Sequence, residues 1–83
     1  MSGNTKQITI GNQSEGDIRN IITAIYNALS EKGYDPISQI VGYLLTEDPT
    51  YITTHNNARN LIRRIDRFEL MQILLRDYIN ADK

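Results

Sequence analysis

Apolar residues enter this chain with a helical rhythm only after residue 16. Ile18, Ile21, Ile22, Ile25 and Leu29 recur at intervals of three and four, the spacing that gathers side chains on one face of an amphipathic helix. Ser14 three residues ahead of Asp17 supplies a capping-box pattern with Asp in place of Glu, and Gly33 suits a left-handed terminus. The spacing predicts a first helix over about Asp17 to Lys32. Asp35 followed by Pro36 then gives an N-cap and a first-turn proline. Ile37, Ile40, Val41, Leu44 and Leu45 repeat the three-and-four spacing, so a second helix is predicted over about Pro36 to Leu45.

Asp48 and Pro49 repeat the start signal, but the β-branched and polar run Ile52, Thr53, Thr54 follows within a few residues, which fits a single turn or a loop. Ala58, Leu61, Ile62 and Ile65 then mark a third helix near Asn56 to Ile65, with Asn56 or Asn57 as its cap. Leu70, Met71, Ile73, Leu74, Leu75, Tyr78 and Ile79 mark a fourth over about Arg67 to Asn80. Asp66 and Glu69 have capping-box spacing, a pattern compatible with either a break or a bend between the last two helices. The apolar residues of the fourth helix fill more than one narrow stripe, so part of that surface is expected to bury against a second copy, making a homodimer.

Residues 1–16 lack this rhythm. They are mainly Ser, Gly, Asn, Gln and Thr, with only the alternation Ile8, Thr9, Ile10 interrupting, and read as a flexible N-terminal arm; a short strand over Gln7 to Ile10 would need an edge from a second subunit. The expected organisation is therefore an arm over 1–16 and one all-α domain over 17–83, a compact bundle of four to five short helices. With 83 residues, 40% of them hydrophobic and 23% charged, the chain has the composition of one small globular domain and not of a two-domain enzyme.

Composition also removes chemistry. There is no cysteine, hence no disulfide, thiolate nucleophile or Cys-based metal site, and no Gly-rich phosphate loop or His/Glu metal spacing accompanies the single histidine, His55. His55 beside Thr54 and Asn56 reads as a surface or capping residue. No catalytic residue, metal or cofactor is expected. Nothing resembles a signal peptide or membrane span, so the expected location is the cytoplasm.

The formal charge of −1 hides one concentration of sign. Arg59, Arg63, Arg64 and Arg67 fall within nine residues, opposed there only by Asp66. In a continuous helix Arg59, Arg63 and Arg67 would share a face at i, i+4 and i+8. The bland reading is a solvated face; the sharper one is a docking surface for carboxylates or a phosphorylated residue, which arginine grips with two parallel hydrogen bonds. An alternative is a small helical nucleic-acid-binding regulator using the same patch. A short patch without interleaved aromatics in a weakly acidic chain argues against it, and no nucleic acid is expected as partner. In the arm, Thr5 and Thr9 are hydroxyls a kinase can engage, and a phosphate on either would add nearly two negative charges beside the arginines.

The run Glu31, Lys32, Gly33, Tyr34, Asp35, Pro36, Ile37, Ser38, Gln39, Ile40, Val41, Gly42, Tyr43, Leu44, Leu45 resembles the EKGYNPxNQIVGYLL signature of the IreB/ReoM family of small Gram-positive regulators. The likeness continues through Asp48, Pro49, Tyr51, Ile52, His55, Ala58, Arg59, Ile62, Arg63, Arg67 and Glu69, without a gap over about Ala24 to Tyr78. The resemblance implies a cytoplasmic, non-catalytic homodimer, phosphorylated on an N-terminal threonine by a membrane-anchored PASTA-domain Ser/Thr kinase and reset by a cognate phosphatase. It further implies control, through the Clp protease system or its adaptor, of the enolpyruvyl transferase that commits UDP-N-acetylglucosamine to peptidoglycan, and with it tolerance of cephalosporins. Carried over by position, Thr5 takes the place of the phosphothreonine, with Thr9 second, and Arg59, Arg63 and Arg67 match the family's arginines. Arg64 and His55 join them as partner-binding candidates. The chain departs from the pattern at Thr53 and Thr54, where relatives have Pro and Arg, and at Phe68, where they have Asp.

Overall fold

A computed structural model of the chain describes residues 14–81. Four α-helices follow in order: α1, Glu15–Glu31; α2, Pro36–Thr46; α3, Ala58–Ile62; and α4, Arg67–Asn80. Two short 3₁₀ turns, Pro49–Tyr51 and His55–Asn57, lie between α2 and α3. Among the described residues there is no strand. The architecture is all-α, as the spacing predicts. The alternative strand over Gln7 to Ile10, and the arm itself up to residue 13, lie outside the described residues.

The helix starts are set by the side chains that the sequence offers for them. Ser14 Oγ accepts the Asp17 N–H at 3.0 Å, Asp35 Oδ1 accepts the Ser38 N–H at 3.4 Å, and Asp48 Oδ1 accepts the Thr50 N–H at 3.0 Å. Each satisfies a donor that the first helical turn leaves orphaned. Gly33 closes α1 in the left-handed region at φ 85°, where the Gly33 and Tyr34 N–H groups return to the Ser30 and Leu29 carbonyls.

The third helix is shorter than its spacing suggests. Asn56 and Asn57 both take positive φ, 52° and 64°, so α3 cannot begin before Ala58; asparagine tolerates this conformation better than other side-chain-bearing residues. Asn57 occupies the N-cap position without a side-chain bond to the helix backbone. At the other end the chain turns over Arg63 to Ile65, and Asp66 adopts an extended conformation, its Oδ1 accepting the Glu69 N–H at 3.1 Å. Asp66 thus breaks the helical path.

The core is formed by Ile18, Ile25, Ala28 and Leu29 of α1 with Ile40 and Tyr43 of α2, Ile52 from the connecting segment, Ala58 and Ile62 of α3, Ile65, and Leu70 and Ile73 of α4. Helix α2 buries Ile40 and Tyr43 and leaves Ile37, Val41 and Leu45 exposed. The opposite face of its apolar pattern is therefore only partly in the core. Helix α1 runs along the molecule with Glu31 at the His55–Asn57 turn and Arg19 beside Asp77 in α4.

Candidate partner-binding surface

The four clustered arginines do not share a helical face. Arg59 lies in α3, Arg63 and Arg64 in the turn after it, and Arg67 is the first residue of α4. The face that a continuous helix would present is lost because Asp66 caps a new helix.

Two of the four are tied to backbone. Arg59 Nε donates to the Ile52 carbonyl at 2.8 Å, bracing the segment between the two 3₁₀ turns. Arg67 donates through one Nη to the Leu44 carbonyl at the end of α2, and its other Nη lies 2.7 Å from Glu47 Oε2. Glu47 is the C-cap of α2 and sits in the left-handed region at φ 61°. The ion pair with the half-buried Arg67 therefore fastens a strained helix end to the start of α4. Neither tie is visible in sequence, because the carbonyls lie seven and 23 residues away along the chain.

Arg63 and Arg64 differ. Both side chains are exposed, and among the described residues neither has an acidic partner within ion-pair distance. They place two guanidinium groups in water at the α3–α4 turn. His55 lies elsewhere, with Nε2 2.8 Å from Glu31 Oε1, and Asn56 Nδ2 reaches the same oxygen at 3.4 Å. Its role here is to hold the end of α1 to the turn that precedes α3. Thr5 and Thr9 lie outside the described residues.

Two further surfaces stand out. An apolar groove of about 180 Å³ runs between α1, α2 and α4, lined by Ile22, Tyr26, Ile40, Val41, Leu70 and Leu74 among others. Beyond it α4 exposes Phe68, Leu75, Tyr78 and Ile79. A smaller, half-open cavity of about 160 Å³ is bounded by Thr54, Asn57, Arg59 and Asn60. Sequence reasoning missed this cavity; its only trace was the pair of asparagines, of which the left-handed Asn57 lines it. Among the described residues no cluster of three or more His, Asp or Glu side chains is arranged to hold a metal ion, and no helix is long and apolar enough to cross a membrane.

The fold and surface define a small helical domain whose distinguishing features are an exposed apolar helix face and a solvated arginine turn. Comparison with known proteins makes that class specific. Residues 3–80 match the family described as IreB regulatory phosphoprotein, and the chain belongs to that family. It is 44% identical over 75 residues to a UPF0297 protein of Ruminiclostridium cellulolyticum, a match covering 90% of this chain and 85% of that one. To a UPF0297 protein of Lachnoclostridium phytofermentans it is 46% identical over 77 residues, covering 93% and 88%.

Proposed function

We propose that this chain is a non-catalytic regulatory adaptor, phosphorylated on an N-terminal threonine by a PASTA-domain Ser/Thr kinase and docking an acidic partner through its arginine turn. The observation that carries the reading is the exposure of Arg63 and Arg64 without acidic partners among the described residues, in a chain whose family is described as a regulatory phosphoprotein. Free guanidinium groups recognise carboxylate or phosphate through paired, charge-assisted hydrogen bonds. A phosphate on Thr5 or Thr9 adds about 1.5 to 2 negative charges, which changes the electrostatics that an acidic partner meets.

Taken with the resemblance to IreB/ReoM regulators, the partner belongs to the Clp protease system or its adaptor, and the outcome is turnover of the enolpyruvyl transferase of peptidoglycan synthesis. Phosphorylation relieves that restraint, and a phosphatase restores it. The apolar faces of α2 and α4 support a homodimer as the working form, and the setting is the cytoplasm.

The test is incubation of the full chain with the kinase domain and ATP, followed by mass mapping. Phosphate on Thr5 or Thr9 is the expected result; phosphate only within residues 17–83, or none, would overturn the reading. Arg63→Ala with Arg64→Ala should weaken partner capture while leaving thermal unfolding unchanged.

A further inference from the structure

We propose that the cavity bounded by Thr54, Asn57, Arg59 and Asn60 is a binding site for a phosphate monoester, and that its occupant is the phosphorylated side chain of Thr5 from the same chain. The proposal rests on the reading that the N-terminal arm is phosphorylated, and adds where the phosphate goes.

The cavity offers donors that the fold leaves unused. Arg59 is anchored through Nε to the Ile52 carbonyl, so its guanidinium is fixed in orientation, while its two Nη groups make no hydrogen bond among the described residues. A pre-oriented fork loses less freedom on gripping an anion than a solvated one. The Thr54 hydroxyl is exposed and unpaired among the described residues, and Asn57, whose Oδ1 accepts from Asn60 Nδ2 at 2.8 Å, keeps its own amide N–H groups for a ligand. No carboxylate lines the cavity. Two charged acids stand nearby: Glu31, whose Oε1 meets His55 and Asn56, and Asp48, whose Oδ1 accepts from the Thr50 N–H and O–H groups and which also feels the Arg59 charge, so a phosphate must compete with Asp48 for that guanidinium.

Chain length selects the threonine. The cavity lies at the Glu31 end of α1, because Glu31 meets His55 and Asn56 next to it. The 17 residues of α1 put that end about 25 Å from Ser14 at 1.5 Å per residue. Thr5 stands nine residues before Ser14 and spans at most ~30 Å, whereas Thr9, five residues before it, spans ~17 Å. The arm can carry a phosphate on Thr5 back along α1 to its own cavity and cannot carry one on Thr9.

The experiment compares amide and arginine Nε spectra of the ¹⁵N-labelled full chain carrying genetically encoded phosphothreonine at position 5 or at position 9 with those of the unphosphorylated chain. Phosphate at position 5 should shift Thr54, Asn57, Arg59 and Asn60 independently of protein concentration, and phosphate at position 9 should not. A synthetic peptide of residues 2–13 phosphorylated at Thr5, titrated into the full chain, should bind about tenfold more weakly after Thr54→Val, which keeps the fold because that hydroxyl makes no hydrogen bond among the described residues. Arg59→Lys should weaken it at least as much. Shifts centred on Arg63 and Arg64, no shift, or equal shifts from an unphosphorylated peptide would overturn the site. Shifts that grow with protein concentration would overturn the same-chain occupant in favour of a second copy's arm. Because the phosphate is installed without the kinase, failure of the kinase reading leaves this result untouched.

Discussion

Replacing Gly42 with alanine should destabilise the protein, against the sign that helix propensity gives. Gly42 lies inside α2, where exchanging glycine for alanine ordinarily gains about 1 kcal/mol. Here the ring of Tyr51 packs on the bare glycine. A Cβ at position 42 would stand 2.5 Å from Tyr51 Cδ1 and 2.9 Å from Cζ, with Cε1 nearer still, whereas carbon atoms in good contact sit ~3.5–4.0 Å apart. The ring must retreat by about 1 Å. Tyr51 is held at its backbone, where its carbonyl accepts from Gln39 Nε2 at 2.9 Å and its N–H donates to the Asp48 carbonyl at 3.2 Å. Overpacking of this kind costs ~1–3 kcal/mol, and the ring's partial exposure places it in the lower half of that range. The net expectation for Gly42→Ala is a loss of up to about 1 kcal/mol, or about 4–8 °C in Tm at the upper bound. In a Tyr51→Ala background the same change should stabilise by up to about 1 kcal/mol. Urea unfolding of the four proteins in this double-mutant cycle reads the coupling directly. Equal stabilisation by Gly42→Ala in both backgrounds would refute the argument.

Other consequences can be checked by similar means. Asp66→Ala removes the cap that separates α3 from α4 and should cost about 1 kcal/mol in urea unfolding; a change within error would mean that the bond to the Glu69 N–H is not made in solution. Ile25, fully buried in α1, should cost ~2–5 kcal/mol when cut to alanine and ~0.5–1.5 when cut to valine, and a smaller loss for the alanine variant would contradict its central place in the core. Hydrogen bonds from the Thr50 hydroxyl and then the Thr50 N–H hold the Asp48 carboxyl below the ordinary carboxylate range, with a smaller contribution from the Arg59 charge against slight desolvation. Its contribution to stability is therefore complete above that range and is lost as pH falls through the lowered value, so Asp48→Asn should flatten the acid limb of a stability–pH profile; an unchanged limb would count against it. If the exposed face of α4 joins two copies, Leu75→Lys with Tyr78→Lys should sediment as a 9.5 kDa species at micromolar concentration where the parent chain does not.

What could be read in advance follows from the range of each interaction. Ser14, Asp35, Asp48 and Asp66 cap donors two or three residues away, so their roles are written locally, and the helix starts fall where those residues stand. Periodicity located α2 but not its buried stripe. Tyr43 is in the core and Leu45 is 79% exposed, an outcome decided by where α1 and the Pro49–Tyr51 turn lie and by the greater contact area that a tyrosine ring offers. The left-handed pair Asn56 and Asn57 shortened α3, since asparagine signals a cap and a turn with equal strength. For the arginines, clustering was legible and function was not. A guanidinium that ends on a carbonyl 23 residues away has the same letter as one that ends in water, and only the folded chain separates Arg67 from Arg63.

Arg67 also acts on the topology of the chain. By joining the end of α2 to the start of α4 it closes the stretch between them into a ring without a covalent bond, and that ring contains both 3₁₀ turns and α3. Closing a loop of some twenty residues removes conformational freedom that the free loop would keep, and the cost grows only slowly with length. Ile52, Ala58 and Ile62 plug the ring into the core from within, while the side chain of Arg67 clasps its base. Lifting the segment away would therefore expose Ile52, Ala58 and Ile62 together. Arg59 and the turn bearing Arg63 and Arg64 are carried on that segment, so the rigidity of the arginine surface is governed at the clasp, a site that no partner needs to touch.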